Sequence, residues 1–292
     1  MYSFANAREI SHRNYGNLTD RLSPTILYKY RKSLLIFAEN VLYLCDYRFA
    51  YNRMNIALII AGGSGNRMGQ DIPKQFMHID GAPVVIWTMK AFEIHPDIDA
   101  IAVVCLKGWE TVLKSYANQY GITKLKWIFP GGNTGMESIH NGIYGLREAG
   151  VSDDAQVLIH DSVRPLLSQD IISSNIATCN AYGYAITGIQ CREAILESED
   201  GFTSTTSIPR EKLIRTQTPQ TFKLGYIIKV HDEAKQKGIT NSVSSCTLVA
   251  ELGTDRTMHI VPGSEKNIKI TTVEDLEILK ALMHSSKETW LK

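Results

Sequence analysis

A glycine-rich loop followed by two cations is the first part of the sequence whose residue types suit chemistry. The apolar run Ile56–Ile60 leads directly into the small residues of Ala61–Gly69 (AGGSGNRMG), and Arg67 and Lys74 lie within and just after that loop. Small residues let main-chain N–H groups approach an anion closely. Cations beside such a loop stabilise the charge that builds on phosphoryl oxygens during transfer. The loop therefore indicates phosphate-transfer chemistry; the alternative is a solvated loop in a generic nucleotide-binding domain.

Two common nucleotide-binding motifs do not fit this loop. A dinucleotide fingerprint has the pattern G-x-G-x-x-G, but Met68 stands at the third glycine position after Gly63 and Gly65. A P-loop ends its glycine run with G-K-[S/T], which this loop lacks. The sequence thus predicts a phosphate loop of a different kind.

Polar residues also follow two later apolar runs of strand length. Gly131–Ser138 (GGNTGMES) follows the first, and glycines before a helix start suit a flat nucleobase whose edge the backbone can read. A plain loop is the alternative there. His160–Pro165 (HDSVRP) follows the second run, and Asp161 could hold Mg²⁺ or a substrate hydroxyl. Because a reacting phosphate is already ionised and needs no base, we interpret His160 as a packed histidine.

The order of apolar segments predicts the framework that positions these residues. Short runs of strand length alternate with longer helical patterns, which is typical of parallel strands with crossover helices on both faces. Ligands in such sheets bind beyond the carboxyl ends of the strands. We therefore predict an α/β fold with a doubly wound, mostly parallel, Rossmann-like sheet. The predicted strands are Ile56–Ile60, Ile101–Leu106, Leu125–Phe129, Val157–His160 and Ala185–Ile189, and the predicted helices are Pro83–Ile94, Glu110–Tyr120, Glu137–Ala149 and Ile171–Tyr182.

The composition is that of an ordinary water-soluble globular protein. The 292 residues are 44% hydrophobic and 21% charged, with a formal net charge of +1. A near-neutral balance gives no support for a nucleic-acid or anionic-membrane partner, which would leave a clustered basic face. The five cysteines are widely spaced and form no C-x-x-C pair, so reduced thiols in a cytoplasmic protein fit better than disulfides or zinc.

The first fifty-odd residues differ in character from the rest. The apolar stretch Ser33–Cys45 is interrupted by Glu39 and is too short to span a bilayer. We predict either an amphipathic helix in residues 1–53 that packs on the main domain or a partner, or an upstream translation artefact. The functional domain is predicted to cover residues 54–292.

Several separate motifs resemble one enzyme family. The glycine loop is followed by P-K-Q-F (Pro73–Phe76), and later come H-D-S-V-R-P, Q-T-P-Q (Gln217–Gln220) and N-I-K-I-T (Asn267–Thr271). Together, from about Asn55 onward, they are similar to the cytidylyltransferases that act on methylerythritol 4-phosphate and ribitol 5-phosphate. The resemblance implies a nucleotidyltransferase that joins CMP from CTP to a polyol phosphate and releases pyrophosphate, with Mg²⁺ as the divalent cation.

The resemblance also implies roles for individual residues. Arg67 and Lys74 would stabilise charge on the α-phosphate in the transition state. The acceptor would be positioned by Arg210, Lys269 and Asp161, and Asp161 is also a candidate metal ligand. On spacing, Lys269 is predicted at the end of a short strand, before a helix that begins with a capping box. The residues expected to bind CTP are Ala61, Gly62, Gly63, Gly65, Gly131, Gly132 and Ser138.

Residues 193–211 are predicted to form a dimerisation arm. The segment is polar and rich in Ser and Thr, and Asp200-Gly201 is a hairpin turn signal. It is similar to the family's β-arm, which embraces a partner subunit across a two-fold axis. The resemblance therefore implies a homodimer in which Arg210 reaches the site of the partner.

Three positions depart from the family pattern. Gly135 stands where the family usually has arginine, and CTP binding is expected to be weaker if that arginine holds the nucleotide and no other cation substitutes for it. Glu193-Ala194 replaces an Asp-Thr pair at the acceptor pocket and leaves the acceptor open, and Asn241 replaces an aspartate. Val163 resembles the ribitol branch, which favours ribitol 5-phosphate and the synthesis of cell-wall or capsule polymers. Methylerythritol 4-phosphate of isoprenoid synthesis, or another polyol such as glycerol phosphate, is the alternative.

An alternative of another class is a degenerate nucleotide-binding protein without activity. The three departures would permit it. Against it, all the cations that the reaction needs are present, and decay would not favour their retention: Arg67, Lys74, Arg210 and Lys269.

Overall fold

The computed structural model describes residues 54–63, 72–253 and 257–285. The predicted extension 1–53 lies outside the described residues, and so do Gly65 and Arg67 of the glycine loop. Within the described ranges, no helix is long and apolar enough to cross a membrane. The cysteines in these ranges are buried free thiols (Cys105, Cys179, Cys191 and Cys246), as the spacing predicts.

A seven-stranded sheet forms the centre of the described domain. Its order is β11-β7-β10-β6-β1-β4-β5, and β10 runs antiparallel to both of its neighbours while the other pairs are parallel. This confirms the predicted mostly parallel sheet. The strands of the sheet are β1 (Asn55–Ala61), β4 (Ala100–Cys105), β5 (Leu125–Pro130), β6 (Gln156–Asp161), β7 (Tyr184–Gln190), β10 (Ile214–Lys223) and β11 (Ile260–Pro262). Two short hairpins pair β2 (His78–Ile79) with β3 (Ala82–Pro83) and β8 (Ile195–Glu197) with β9 (Thr206–Ile208).

Helices cover both faces of the sheet. Strand β1 shows why: Ile56 and Leu58 point into one apolar core, Ala57 and Ile59 point into the other, and all four are fully buried. A strand buried on both faces needs a helical layer on each side. The first core is closed by α3 (Gly135–Glu148), α5 (Leu224–Gln236) and α6 (Ser245–Glu251), and the second by α1 (Val84–Glu93), α2 (Glu110–Gln119) and α4 (Gln169–Tyr182). Helix α7 (Val273–Ser285) packs in a smaller core beside Ile79 and Val84.

The predicted boundaries agree with the observed ones to within two residues, and the start of α3 shows what sets them. The pattern predicts a helix from Glu137, whereas α3 begins at Gly135. Thr134 caps the helix, because its Oγ1 accepts a hydrogen bond from the Glu137 amide at 3.1 Å. The Glu137 carboxylate in turn accepts from the Asn133 amide at 2.6 Å. This local cap sets the start of α3 at Gly135, two residues before the start that the apolar pattern predicts.

The carboxyl ends of four strands meet at one edge of the sheet. In the register, Ala61 of β1 lies opposite Cys105 of β4, and Cys105 lies opposite Pro130 of β5. On the other side, Ile60 lies opposite Asp161 of β6. The loops that leave these strands are those singled out in the sequence. The topology therefore brings the glycine loop, the Gly131 loop and Asp161 together.

The segment predicted as an arm forms an exposed hairpin. Strands β8 and β9 pair antiparallel, and the Asp200 carboxylate accepts hydrogen bonds from the amides of Phe202 and Thr203 in the turn. Gly201 has φ +74°, a left-handed conformation that favours glycine. The side chain of Phe202 is 94% exposed. The hairpin and its turn are as predicted; its role in dimerisation stays a prediction.

Candidate active site

The two glycine loops touch each other. A Cβ atom on Gly62 would lie 2.9 Å from Ser138 Oγ and 3.0 Å from Gly131 Cα, and a Cβ on Gly131 would lie 2.8 Å from Gly62 Cα. Both positions therefore need glycine for the close approach of the two backbones. The Gly131 amide donates to the Cys105 carbonyl at 2.7 Å, and the Gly132 amide donates to Ser138 Oγ at 3.1 Å. The structure thus brings Gly62 of the first loop into contact with Gly131 and Ser138 of the second, three of the residues predicted to bind CTP.

Gln75 fixes the glycine loop to the P-K-Q-F segment. Its buried side-chain amide donates to the carbonyls of Ala61 at 2.9 Å and Gly63 at 2.8 Å. Phe76 stacks on Trp109 with ring centroids 4.5 Å apart. The sequence of this motif predicts a role for Lys74 but none for Gln75. Its position between that lysine and the apolar Phe76 is the one feature of the sequence that could have pointed to Gln75.

Lys74 links this segment to the distant Lys269 loop. Its half-buried Nζ donates to the carbonyl oxygen of Ile270 at 3.0 Å, across 196 residues of sequence. Lys269 is the residue directly before that carbonyl. Lys74 is therefore hydrogen-bonded to the main chain directly beside Lys269, so two of the predicted reaction cations belong to one region of the structure.

Asp161 lies between two cations. Its Oδ2 accepts from Arg164 Nε at 2.9 Å, and its Oδ1 is 3.3 Å from Lys269 Nζ. The Asp161 side chain is 22% exposed and that of Lys269 is 46% exposed, so the pair lies at the surface of the site. Burial acts to raise the pKa of the Asp161 carboxyl, but the charges of Lys269 and Arg164 outweigh it and hold the pKa below its ordinary value. Asp161 is therefore ionised near neutral pH.

His160 is a packed histidine, as interpreted from the sequence. It is fully buried, its Nε2 lies 3.1 Å from the Arg164 carbonyl oxygen, and its Nδ1 lies 3.0 Å from Thr218 Oγ1. Because a carbonyl can only accept, Nε2 carries the proton and Nδ1 accepts from the threonine hydroxyl. Burial lowers the pKa of His160 to about 4. A neutral ring with both nitrogens occupied does not act as an acid or a base.

The Lys269 segment is held without strand pairing, which corrects the prediction of a short strand. Residues 267–271 have no regular secondary structure. The Ile270 amide donates to the Val163 carbonyl at 3.0 Å, and Arg164 Nη1 donates to the Asn267 carbonyl at 2.7 Å. The H-D-S-V-R-P loop thus replaces a neighbouring strand as the support of Lys269. The predicted capping box of α7 is confirmed, because Thr272 and Asp275 exchange hydrogen bonds between side chain and amide.

The Q-T-P-Q motif supports the site from β10. Thr218 Oγ1 accepts from the Asp161 amide at 3.1 Å, so the threonine connects β10 to the end of β6. Gln217 Nε2 donates to the Ser264 carbonyl at 2.8 Å. Gln220 Oε1 accepts from the Cys246 amide at 2.9 Å, at the start of α6. The glutamines therefore bind protein backbone, and Thr218 remains the member of the motif nearest the charged residues.

These residues surround a cleft of about 250 Å³. Asp161, Lys269 and Thr218 line it, together with Gly135 at the start of α3 and Ser245 at the start of α6. A Cβ on Gly135 would meet no atom within 4 Å, so the position where the family usually has arginine leaves open space. Asp161 and Lys269, two of the residues predicted to position the acceptor, thus lie on the same cleft as the start of α3, the helix that follows the Gly131 loop.

The cleft does not have the donor set of a resident metal centre. Asp161 is the one carboxylate among the described residues that line it, and that carboxylate is already paired with two cations. Within the described ranges, no cluster of three or more His, Cys, Asp or Glu side chains could hold a metal ion. Mg²⁺ prefers several oxygen ligands, often including substrate phosphates. Asp161 therefore does not form a metal centre by itself in the described cleft, and its role as metal ligand or as partner of a substrate hydroxyl stays a prediction.

Arg210 lies at the base of the hairpin, away from these residues. Its Nη1 donates to the Arg192 carbonyl at 2.9 Å, and its Nε is 3.7 Å from Glu211 Oε1. Its side chain is 56% exposed, and it is not among the described residues that line the cleft. Within one subunit, the structure does not bring Arg210 to Asp161 and Lys269.

Comparison with known proteins finds one family. A family model described as "IspD: 2-C-methyl-D-erythritol 4-phosphate cytidylyltransferase" matches residues 55–285. A ribitol-5-phosphate cytidylyltransferase of Lacticaseibacillus paracasei is 38% identical over 236 residues, which cover 80% of this chain and 100% of the relative. A 2-C-methyl-D-erythritol 4-phosphate cytidylyltransferase of Clostridium botulinum is 37% identical over 224 residues, 76% of this chain and 94% of the relative.

Solved structures agree on the fold. The crystal structure of 4-diphosphocytidyl-2C-methyl-D-erythritol synthase from Anaerococcus prevotii superposes with a TM-score of 0.67 at 24% identity, covering 80% of this chain and 99% of that one. At this level of identity the likeness concerns the fold alone. It confirms the predicted nucleotidyltransferase-type α/β architecture.

Proposed function

Because the chain belongs to the IspD family of cytidylyltransferases, we propose that it transfers CMP from CTP to ribitol 5-phosphate and releases pyrophosphate. The observation that carries the proposal is the meeting of two features at one sheet edge. The paired glycine loops form a surface for a nucleotide, and Asp161 with Lys269 forms a charged pair beside it. The 38% identity to a ribitol-5-phosphate cytidylyltransferase over that relative's whole length supports this acceptor.

CTP binds across the two loops in this proposal. The base lies on Gly131–Ser138, where backbone amides and carbonyls read its edge. The triphosphate lies over the loop that begins at Ala61, and Gln75 holds the start of that loop through the carbonyls of Ala61 and Gly63. Mg²⁺ bound with CTP would neutralise charge on the triphosphate. Among the described residues that line the cleft, Asp161 is the one carboxylate, and it is paired with Arg164 and Lys269.

The acceptor binds in the cleft. Lys269 binds its phosphate, and Asp161 accepts a hydrogen bond from one of its hydroxyls. This exchange is feasible because Arg164 Nε, 2.9 Å from Asp161 Oδ2, holds the carboxylate in place when Lys269 turns to the substrate. Arg164 positions Asp161 directly, and His160 does so through Thr218, whose Oγ1 accepts from the Asp161 amide.

The reaction is a single in-line displacement. An oxygen of the acceptor phosphate forms a bond to the α-phosphorus of CTP, the bond from that phosphorus to the bridging oxygen breaks, and pyrophosphate leaves with the electron pair. Lys74, and Arg67 outside the described residues, stabilise the charge on the α-phosphate. No proton has to be removed from the nucleophile, which fits the absence of an acid–base role for His160.

The second subunit supplies Arg210 in this proposal. The hairpin that carries it is exposed, and a two-stranded hairpin of this length is marginal in water by itself. Packing against a second copy of the chain would order it and would bring Arg210 to that copy's acceptor phosphate. We therefore propose a homodimer with sites completed across the interface.

A pyrophosphate-release assay tests the proposal. With Mg²⁺ and ribitol 5-phosphate, CTP should react much faster than UTP or ATP. Methylerythritol 4-phosphate and glycerol phosphate serve as separate acceptors, and the reaction without acceptor is the control. Equal rates with UTP would contradict the placement of cytosine on Gly131–Ser138. If no pyrophosphate is released with any of the acceptors, the result would favour a nucleotide-binding protein without activity.

A further inference from the structure

Ser245 has a buried hydroxyl without a hydrogen-bond partner on the wall of the cleft. The residue is 2% exposed, and its Oγ has no partner among the described residues. It lines the same cleft as Asp161 and Lys269. Buried polar side chains in native proteins nearly always have a partner, so an exception requires an explanation.

The backbone on both sides of Ser245 is fixed. The Cys246 amide donates to Gln220 Oε1 at 2.9 Å. Ser244 and Thr247 form a capping box, in which the Ser244 amide donates to Thr247 Oγ1 at 2.9 Å and the Thr247 amide donates to Ser244 Oγ at 3.3 Å. The unpartnered hydroxyl therefore belongs to a held segment and not to a loose loop.

A neighbouring serine shows what a satisfied hydroxyl looks like in the same segment. Ser242 is also buried, but its Oγ lies 2.8 Å from Thr247 Oγ1 and 3.0 Å from Glu251 Oε1. Ser242 is not among the described residues that line the cleft. Of these two serines, the one that lacks a partner is the one that lines the cleft. Ser244 lines it as well, but its hydroxyl is bonded within the capping box.

Ser245 lies where its side chain could contact the acceptor that is proposed to bind in the cleft. A ligand whose phosphate binds Lys269 and whose hydroxyl binds Asp161 occupies the cleft that Ser245 lines. Gly135 contributes no side chain and leaves open space there. A serine hydroxyl moves readily between staggered positions, so it can turn to a bound ligand.

We propose that the Ser245 hydroxyl binds a hydroxyl of the acceptor polyol and thereby selects the longer chain of ribitol 5-phosphate over methylerythritol 4-phosphate, whose shorter chain carries one hydroxyl fewer. This inference rests on the proposed function. A site hydroxyl that pairs with a substrate hydroxyl rejects an analogue without it, because the site group is then buried unpaired. The methyl branch of methylerythritol 4-phosphate does not compensate, because a methyl group offers neither a donor nor an acceptor.

The test compares kcat/KM for ribitol 5-phosphate and methylerythritol 4-phosphate in the full-length wild-type protein and in Ser245→Ala. Loss of one neutral hydrogen bond should lower kcat/KM for ribitol 5-phosphate about tenfold in the variant. The value for methylerythritol 4-phosphate should stay within about twofold, so the ratio of the two falls about tenfold. Ser242→Ala is the matched control and should leave the ratio unchanged.

Deoxy analogues of ribitol 5-phosphate identify the partner hydroxyl. For one of them, removal of the hydroxyl should cost the wild type about tenfold and cost Ser245→Ala nothing further. Thermal melting establishes that each variant is folded, and Ser245→Cys, which keeps the size and weakens the hydrogen bond, replaces the alanine variant if that one is unfolded. An unchanged ratio in a folded variant overturns the role of Ser245 while the proposed function stands. A wild type that is inactive with every polyol phosphate overturns both.

Discussion

Substitution of Gly62 by alanine tests whether contact between the two glycine loops forms the nucleotide site. The new Cβ would lie 2.9 Å from Ser138 Oγ and 3.0 Å from Gly131 Cα. Carbon atoms pack favourably at about 3.5–4.0 Å, so the loops must separate by roughly 0.5–1 Å. Neither neighbour can move away cheaply, because Ser138 Oγ accepts from the Gly132 amide and the Gly131 amide is bonded to Cys105.

This separation should affect binding more than folding. Overpacking of this kind costs about 1–3 kcal/mol of stability. A misplacement of about 1 Å in a site can lower the rate about 100-fold. We therefore expect Gly62→Ala to raise KM for CTP and to lower kcat/KM by about 10–100-fold, while KM for the acceptor changes little.

Steady-state kinetics with CTP and the acceptor varied in turn measure this effect, and thermal melting measures the cost in stability. Gly135→Ala is the matched control, since a Cβ there meets no atom within 4 Å and its φ is not left-handed. That variant should melt at or slightly above the wild-type temperature. A Gly62→Ala protein with unchanged KM for CTP would refute the contact between the loops as the basis of the nucleotide site.

Three further predictions concern the cations, the buried histidine and the arm. Lys74→Ala should lower kcat by about 10²–10³-fold in a folded protein, and near-normal turnover would mean that the site is misplaced. The free energy of unfolding should fall as pH drops from 6.5 towards 4, because the unfolded chain gains a proton that His160, with a pKa of about 4, does not. His160→Gln should flatten part of that dependence in urea titrations; an identical slope would contradict the assignment. Mixing Arg210→Ala with Lys74→Ala should restore activity in up to about a quarter of the sites, because one site of each mixed dimer has neither lesion. Continued inactivity after subunit exchange, checked by mass spectrometry, would rule out a site shared between subunits.

The sequence predicts the framework well because that information is local. Strand β1 is a short apolar run whose alternate residues face two cores, and Thr134 with Glu137 sets the start of α3 through a cap four residues long. The glycines of the two loops also carry a local signal. Their mutual contact follows from the parallel sheet, since the carboxyl ends of neighbouring strands share an edge.

The support of the site could not be predicted from the sequence, because it depends on contacts between distant segments. Lys74 bonds to Ile270 across 196 residues, and Gln220 holds the start of α6. The short strand predicted around Lys269 fails for the same reason. Its backbone groups are bonded by Val163 and Arg164, and no local pattern shows that a loop takes the place of a partner strand.

The cavity at Gly135 shows how departures from a family pattern gain meaning from the structure. In the sequence, a glycine in place of arginine is a missing cation. In the structure, it is open space on the cleft that also contains the unpartnered Ser245 hydroxyl. Both features therefore lie on the wall of the same cleft.

A competition experiment between the two acceptors tests the proposed transfer of CMP to ribitol 5-phosphate. Ribitol 5-phosphate and methylerythritol 4-phosphate are supplied at equal concentration with limiting CTP and Mg²⁺, and the two CDP products are quantified by mass spectrometry. Their initial ratio equals the ratio of the two kcat/KM values. We predict that CDP-ribitol predominates by at least about tenfold, with one pyrophosphate released per product. An excess of the methylerythritol product would contradict the proposed acceptor.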